Sequence, residues 1–135
     1  MASILRVNTL TDASSNNSTA MSTVNQGTAK SWVCLKGSDT FAVRDSFNTA
    51  SATDNSVGDY TTTRSNALAN VDYATAGICS ATSGGDPHYN FIVENVDNKL
   101  RTTTALRTWI LNADISGQGS NDAPDYSMTF MGDLA

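Results

Sequence analysis

The sequence predicts an all-β protein, an antiparallel β-sandwich of jelly-roll type preceded by an extended N-terminal arm. Short runs of Thr, aromatic and β-branched residues recur about every ten positions, separated by turns rich in Gly, Asn and Asp. The chain is poor in straight-chain helix formers, because Glu occurs once and Gln twice. No βαβ alternation, heptad or strong internal repeat indicates another architecture.

The first 28 residues are predicted to be an arm and residues 29–135 to be the folded β domain. Residues 11–28 form a polar tract that is too poor in apolar groups to fold on its own. We therefore expect the arm to serve attachment or oligomerisation. The side chains expected to make its contacts are the four aliphatic residues Ile4, Leu5, Val7 and Leu10.

The first half of the body contains strand-like runs with turns between them. In Phe41–Phe47, positions 41, 43 and 47 share one face of a strand. Asp45 interrupts that face, which predicts a bulge or a turn-capping carboxylate at this point. Residues 52–63 form a further run that is broken by an Asn, Gly and Asp turn signal.

The second half begins with one weak helical turn at residues 64–70. Residues 71–79 carry small or apolar groups on both faces, which predicts a central strand buried on both sides. Tyr89–Glu94 alternates again, and residues 102–111 form the longest strand-like run. The final strand is predicted to place one set of apolar side chains on a single face, namely Tyr126, Met128 and Phe130.

Composition and charge exclude several classes of function. The net charge of −5, with only three Lys, argues against nucleic-acid binding, which needs clustered positive charge. The apolar start of the chain is interrupted at Arg6, so no secretory signal is predicted, and no run is long enough for membrane insertion. We expect an acidic, soluble protein.

The two cysteines, Cys34 and Cys79, are expected to be free and mostly buried thiols. They belong to different predicted strands, and no CxxC or zinc-binding spacing is present. A disulfide between them stays open at this point, because the sequence does not give the Cα separation that such a bond requires.

No catalytic, cofactor or metal site is predicted. Asp86 and His88 lie in a Gly-Gly-Asp-Pro turn without a further ligand or a nucleophile to complete a site. The oxygen-rich loops at residues 54–59 and 121–125 lack EF-hand spacing, so Asx-turns explain them better than calcium does. We therefore expect a protein that is not an enzyme and that needs no cofactor.

Trp32 and Trp109 are the candidate interaction aromatics. Exposed tryptophans could stack on sugars, but each of these two belongs to an apolar run. Burial in the core or in a subunit interface is therefore favoured over a glycan platform.

Three consecutive runs carry a resemblance to a known family. Gly27–Gly37 contains AKSWVCLK, Phe41–Asn48 reads FAVRDSFN and Ala52–Thr63 reads ATDNSVGDYTTT. This order resembles a module of tail fibres and other virion proteins of tailed phages, especially marine ones, in which AKAWVNF leads to IRDSFN and TDNGTGDYTV. The last strand resembles the closing strand of that module, and the opening ten residues after Ala2 resemble its lead-in segment. The resemblance covers residues 27–135.

The chain departs from that module at two places. Cys34 stands where the module commonly has Asn, and the polar run Thr61–Arg64 replaces an apolar strand.

The resemblance implies a structural protein of a tailed-phage virion. Such a protein would be synthesised in the host cytoplasm and displayed on the virion surface as a short fibre or as a capsid or tail decoration. The implied partners are further copies of the chain, as a homotrimer, and other virion proteins. The alternative is a tip module that binds a receptor or a host surface glycan and mediates attachment. A hydrolase of surface polysaccharide ranks well behind both.

Overall fold

The computed structural model describes residues 6–15, 17–80, 89–94, 101–114 and 117–135. These residues form eleven strands and one short helix, which confirms the predicted all-β class. The elements in chain order are β1 (Thr9–Thr11), β2 (Ser18–Ala20), α1 (Met21–Gly27), β3 (Ala29–Lys36), β4 (Ala42–Phe47), β5 (Thr49–Ser56), β6 (Asp59–Arg64), β7 (Ala74–Cys79), β8 (Tyr89–Glu94), β9 (Ala105–Asp114), β10 (Gly117–Ser120) and β11 (Tyr126–Met131).

The body consists of two antiparallel sheets. The four-stranded sheet has the order β4-β3-β11-β7, and the five-stranded sheet is built around β9. Strands β6 and β8 both pair with Thr108 and Trp109, so they lie on opposite edges of β9. Strand β10 pairs with β9 further along the edge that β6 occupies, because β8 already takes the other edge there. Strand β5 completes this sheet beside β6.

The inward faces of the two sheets share one core. Val33 and Leu35 from β3 pack in the same cluster as Leu106 and Ile110 from β9, and all four are at most 2% exposed. Between the sheets, the ring centres of Tyr60 and Tyr126 lie 5.7 Å apart. The prediction for the last strand is confirmed, since its three inward side chains are buried: Tyr126, Met128 and Phe130.

The strand order does not confirm the expected jelly-roll topology. In a jelly roll, successive strands alternate between the two sheets, because two Greek keys are wrapped around each other. Here β3 and β4 are neighbours in one sheet, and β5 and β6 are neighbours in the other. Strands β8 and β9 also pair directly.

The predicted bulge in the strand over Phe41–Phe47 is confirmed. Cys34 is opposite Asp45 and Leu35 is opposite Val43, so Arg44 is the extra residue of β4. The Asp45 carboxylate accepts a hydrogen bond of 2.8 Å from the backbone N–H of Ser46, which stabilises the irregular backbone.

The prediction that residues 71–79 form a doubly buried central strand is wrong. Among the described strands, β7 pairs only with β11 and therefore lies at the edge of its sheet. Ile78 points away from the core and is 75% exposed. The error arose because small residues such as Ala and Gly fit an exposed edge as well as a crowded interior.

The predicted helical turn at residues 64–70 is also wrong. This segment consists mainly of bends and is held by contacts with distant parts of the chain, since the N–H of Leu68 donates to the carbonyl of Thr103 at 2.9 Å. Leu68 also forms an isolated bridge with Leu134. The described helix is instead α1, in the segment that the sequence assigned to the polar arm.

The two cysteines do not pair within one chain. Strand β11 lies between them, with Ser127 opposite Cys34 and Tyr126 opposite Cys79. Two strand spacings amount to about 9.6 Å, beyond the Cα separation of about 7 Å that limits a disulfide. The thiols also belong to opposite faces of the sheet, and both are half-buried rather than fully buried.

Candidate functional site

The two predicted interaction aromatics lie on opposite outer faces of the molecule. Trp32 alternates in β3 with buried Val33, and Trp109 alternates in β9 with buried Ile110, so each indole points away from the core. Both are half-buried, so the expectation that they belong to the core is wrong, although interface burial stays a prediction. Since they lie on different sheets, they do not form a common stacking platform.

Trp32 lies in an apolar surface on the four-stranded sheet. Its direct neighbour across the strands is Phe47, which is 54% exposed. On its other side come Thr129 of β11 and then Ala76 of β7. A half-buried indole and an exposed phenyl ring beside small uncharged residues can bind an apolar or flat partner, but they contain no group for acid-base chemistry.

On the other sheet, Trp109 has a structural role, because it covers the ion pair between Asp59 and Arg107. Asp59, which is opposite Trp109 in the register, is only 2% exposed although it lies on the outer face. Arg107 binds it in a bidentate manner, with Nε donating to Oδ1 at 2.8 Å and Nη2 donating to Oδ2 at 2.6 Å. The indole N–H of Trp109 and the amide of Asn55 donate to the same carboxylate.

These contacts fix the ionisation state of Asp59. Burial alone would raise the pKa of its carboxyl, but the hydrogen bonds from Arg107 and Trp109 outweigh it, and the net effect is a lowered pKa. The carboxylate therefore stays charged and paired, which suits a structural anion rather than a general acid. No pattern in the sequence indicates this pair, because Asp59 and Arg107 meet only through the register of β6 and β9.

The two oxygen-rich loops singled out in the sequence lie side by side. Oδ1 of Asp122 accepts hydrogen bonds from the N–H of Gly58 at 2.7 Å and from the hydroxyl of Tyr60 at 2.8 Å. Burial, with the charges of Asp122 and Asp59, raises the pKa of Asp54. Within the described part of the chain, no group of three or more His, Cys, Asp or Glu residues could hold a metal ion.

A cleft of about 340 Å³ lies between β7 and β8, at the edge where the two sheets part. Its lining includes the small residues Gly77 and Cys79 of β7, and a Cβ added at Gly77 would come to 3.0 Å from Ile92 Cδ1 and 3.1 Å from Met128 Sδ. Burial raises the pKa of the Cys79 thiol, which keeps it protonated and a weak nucleophile. Its lining mixes apolar side chains with polar ones such as Asn90, Glu94 and Thr108.

Comparisons with known proteins add no relative. No protein-family model, curated protein or solved structure matches this chain. Among the described residues, no helix has the length and apolar composition needed to cross a membrane. The turn that contains Asp86 and His88 lies outside the described residues.

The N-terminal segment differs from the body in its burial. Strands β1 and β2 form a small hairpin that leads directly into α1, and none of the described residues between 6 and 28 is buried. Two of the predicted arm aliphatics are exposed, Val7 at 38% and Leu10 at 46%. The other two, Ile4 and Leu5, lie outside the described residues.

Proposed function

We propose that the protein is a non-enzymatic structural component of a tailed-phage virion, displayed on the particle surface as a short fibre or as a capsid or tail decoration. The resemblance of residues 27–135 to phage fibre modules supports this proposal. The observation that carries it is the exposed N-terminal segment, whose apolar Val7 and Leu10 have no place in the core of their own chain.

An exposed apolar segment favours attachment to another protein. Removing Val or Leu from water is worth about 1.5–3 kcal/mol per side chain before the cost of ordering the segment is subtracted. A short hairpin such as β1–β2 can also add its edge to a strand of a neighbouring subunit. In this proposal the arm anchors each copy to the particle, and it also builds the trimer that the resemblance implies.

The absence of enzymatic activity is part of the proposal. The buried carboxylate of Asp59 is engaged in an ion pair with Arg107. The carboxylate of Asp122 accepts hydrogen bonds from the N–H of Gly58 and the hydroxyl of Tyr60. A protonated Cys79 thiol offers no activated nucleophile. These described groups therefore favour a structural role over hydrolysis of surface polysaccharide.

Deletion of residues 1–28 tests the role of the arm. We expect the truncated chain to remain a soluble β protein, because the described part of the deleted segment contributes no buried residue. We also expect it to lose incorporation into particles and to sediment as a smaller species. The measurements are circular dichroism, sedimentation velocity, and quantification of the protein in particles purified from an infection supplied with either form.

Point substitutions provide the matched comparison. The double variant Val7→Asp/Leu10→Asp should lower incorporation at least tenfold, whereas Val57→Asp, at a 56% exposed position of the body, should leave it unchanged. Unfolding of the truncated chain would show that the arm is part of the core. Full incorporation of the truncated chain would mean that the attachment contacts lie on the sheets.

The alternative, a tip module that binds a receptor or glycan, makes a different prediction. A receptor tip binds host cells as a free protein, whereas an anchored structural protein remains with purified particles. Binding of the free chain to host cells or to envelope glycans, unaffected by deletion of residues 1–28, would favour the alternative.

A further inference from the structure

Strand β7 is an edge strand without the features that normally protect such an edge. Ala74–Cys79 contains no charged residue and no proline, and its register with β11 is regular throughout. By contrast, the edge strand β4 has a bulge at Arg44 and the charged Asp45, and the edge strand β5 has two irregular positions and the acidic Asp54. An unprotected edge is a template for a further strand.

The alternation of hydrogen bonds shows which backbone groups of this edge are open. The N–H of Ser80 donates to the carbonyl of Asp125 at 2.8 Å, so Ser80 directs its N–H towards β11. Alternate residues of an antiparallel strand direct their backbone groups to opposite sides, and Thr75, Gly77 and Cys79 therefore direct theirs away from β11. Within the described part of the chain, no group bonds to these three residues on that side.

Arg101 marks where the open part of the edge begins. Its Nε donates to the carbonyl of Val71 at 2.9 Å, and its Nη2 donates to the carbonyl of Tyr73. These two carbonyls belong to the same alternation as Thr75, so a side chain already satisfies this edge as far as Tyr73. The open edge is therefore limited to the backbone groups of residues 75–79.

The three residues with open backbone groups also line the cleft between β7 and β8. They lie opposite the inward-facing side chains of β11, yet Thr75 and Gly77 are exposed. The apolar part of the lining opposite them comprises Ile92, Leu106 and Met128. A strand added to this edge would therefore form backbone hydrogen bonds and place alternate side chains at the mouth of the cleft.

The chain itself contains a strand with a matching free edge. In the described part of the chain, only β1 and β2 lie outside the two body sheets, and β1 pairs with β2 alone. The N–H of Met21 donates to the carbonyl of Asn8 at 2.9 Å, so Asn8 directs its carbonyl towards β2. By alternation, Val7, Thr9 and Thr11 direct their backbone groups to the free edge of β1.

We propose that β1 of one copy of the chain adds antiparallel to β7 of a second copy. In such a pair, residues with open backbone groups face each other. The register with the most such pairs places Val7 opposite Cys79, Thr9 opposite Gly77 and Thr11 opposite Thr75. The inference rests on the attachment role proposed for the arm, and it names the surface that accepts the arm.

This register accommodates both exposed apolar side chains of the arm. Opposite residues of antiparallel strands have their side chains on the same face, so Val7 lies beside Cys79 at the mouth of the cleft. Leu10 is then opposite Ala76 on the outer face and diagonal to Ile78, which is 75% exposed. The pairing therefore removes apolar surface from water on both faces of the sheet.

Charge and symmetry support a second copy as the partner. Residues 1–11 contain Arg6 and no acidic residue, a formal charge of +1, so the rest of the chain carries −6 of the total −5. The start of the arm is therefore attracted to the body of another copy. Because the donor and acceptor surfaces differ, the contact is heterologous and can close into a ring, as in the trimer that the resemblance implies. Each copy of a closed ring is held by two such short contacts.

Disulfide trapping in the full-length chain tests the register, with Cys34→Ser in every variant. The donor carries Val7→Cys and Cys79→Ser, and the acceptor keeps Val7 and Cys79. Oxidation of their mixture with diamide should give a covalent heterodimer, in which mass spectrometry finds position 7 of the donor linked to Cys79 of the acceptor. The matched donor with Asn8→Cys in place of Val7→Cys directs its thiol to the other face, and its yield should be at least fivefold lower.

Sedimentation velocity at increasing protein concentration tests the edge itself. The wild-type chain should form a species larger than the monomer. Ile78→Lys should weaken this association at least tenfold, because a lysine on an edge strand opposes the addition of another strand. Val57→Lys is the matched control, at a position of the other sheet that is 56% exposed, and it should change the association less than twofold.

Several results would overturn the inference. These are a donor and acceptor mixture without the link, equal yields from the Val7→Cys and Asn8→Cys donors, equal effects of Ile78→Lys and Val57→Lys, and a wild-type chain that stays monomeric at every concentration. The proposed function fails separately, if deletion of residues 1–28 leaves incorporation into particles unchanged. Loss of incorporation on that deletion, without the link to Cys79, would mean that the arm attaches to a different surface.

Discussion

A buried carboxylate on the outer side of a sheet has to be neutralised by its neighbours, and Asp59 meets this condition through Arg107 and Trp109. The alternation of each strand does not explain why these three side chains are shielded from water, because all of them point away from the core. Their half-buried or buried state depends on the pairing of β6 with β9. The arrangement fixes Trp109, whereas Trp32 lies on the other sheet beside the exposed ring of Phe47.

The ion pair predicts how stability depends on pH. The folded-state pKa of Asp59 lies below its ordinary value of 3.8, so the contribution of the pair is complete above that value and is lost as the pH falls through the folded pKa. Asp54 has a raised pKa and acts in the opposite direction, since the charge it gains on deprotonation is disfavoured in the folded state.

We therefore expect Asp59→Asn to lower the free energy of unfolding at pH 7 and to reduce the difference between pH 7 and pH 3. Urea unfolding at the two pH values measures this difference. Asp72→Asn, which changes an exposed aspartate, is the control and should retain the difference seen in the wild type. An equal loss of stability on acidification in wild type and Asp59→Asn would contradict the assignment.

At the scale of the elements, the alternation of apolar and polar residues correctly predicted features that depend on a single strand and its adjoining turn. The inward face of β11 and the bulge of β4 follow from spacing within six or seven residues, and both predictions hold. The burial of residues 71–79 and the conformation of residues 64–70 depend on which strand lies beside them. Strand order is set by contacts between distant residues, so the sequence pattern alone could not supply it.

The turn between β5 and β6 gives a prediction at this scale. Gly58 adopts a φ of +68°, and a Cβ added there would approach the carbonyl oxygens of Asn121 and Ile110 to 2.8 Å. Gly58→Ala should therefore lower the free energy of unfolding by about 1–3 kcal/mol.

The matched control is Gly27→Ala at the end of α1, where an added Cβ meets nothing within 4 Å. Because alanine favours helix, we expect this variant to be neutral or stabilised by up to about 1 kcal/mol. Urea unfolding of both variants measures the contrast. Equal stability of the two variants would show that the turn tolerates a side chain and that its geometry is not a constraint.

At the scale of the whole molecule, the sequence predicted the all-β class better than the site. The Thr-rich composition and the spacing of the turns are enough to predict an all-β protein, because each of them restricts the local conformation of a segment independently of the others. The topology and the two outer faces arise only when the strands are assembled. Trp32 and Trp109 have similar apolar neighbours in the sequence, yet one indole lies beside exposed Phe47 and the other covers Asp59.

The shared core predicts that both sheets unfold together. The ring of Phe130 in β11 meets the edge of Tyr73 at 6.0 Å between ring centres, and Arg64 of β6 lies over both rings at 4.7 Å. Tyr73 in turn donates a hydrogen bond of 3.3 Å to the carbonyl of Ala105 in β9. Phe130 is therefore linked to strands of both sheets.

Phe130→Ala should lower the free energy of unfolding by about 3–5 kcal/mol, since it removes a buried ring from a packed site. The same substitution at Phe47, which is 54% exposed, should cost less than about 1 kcal/mol.

Amide hydrogen exchange distinguishes a single cooperative core from two sheets that unfold independently. We expect Phe130→Ala to reduce protection at Val33 in one sheet and at Ile110 in the other by the same factor, because global unfolding then exposes both. Loss of protection confined to the four-stranded sheet would mean that the sheets open separately, and that the buried faces do not form one cooperative core.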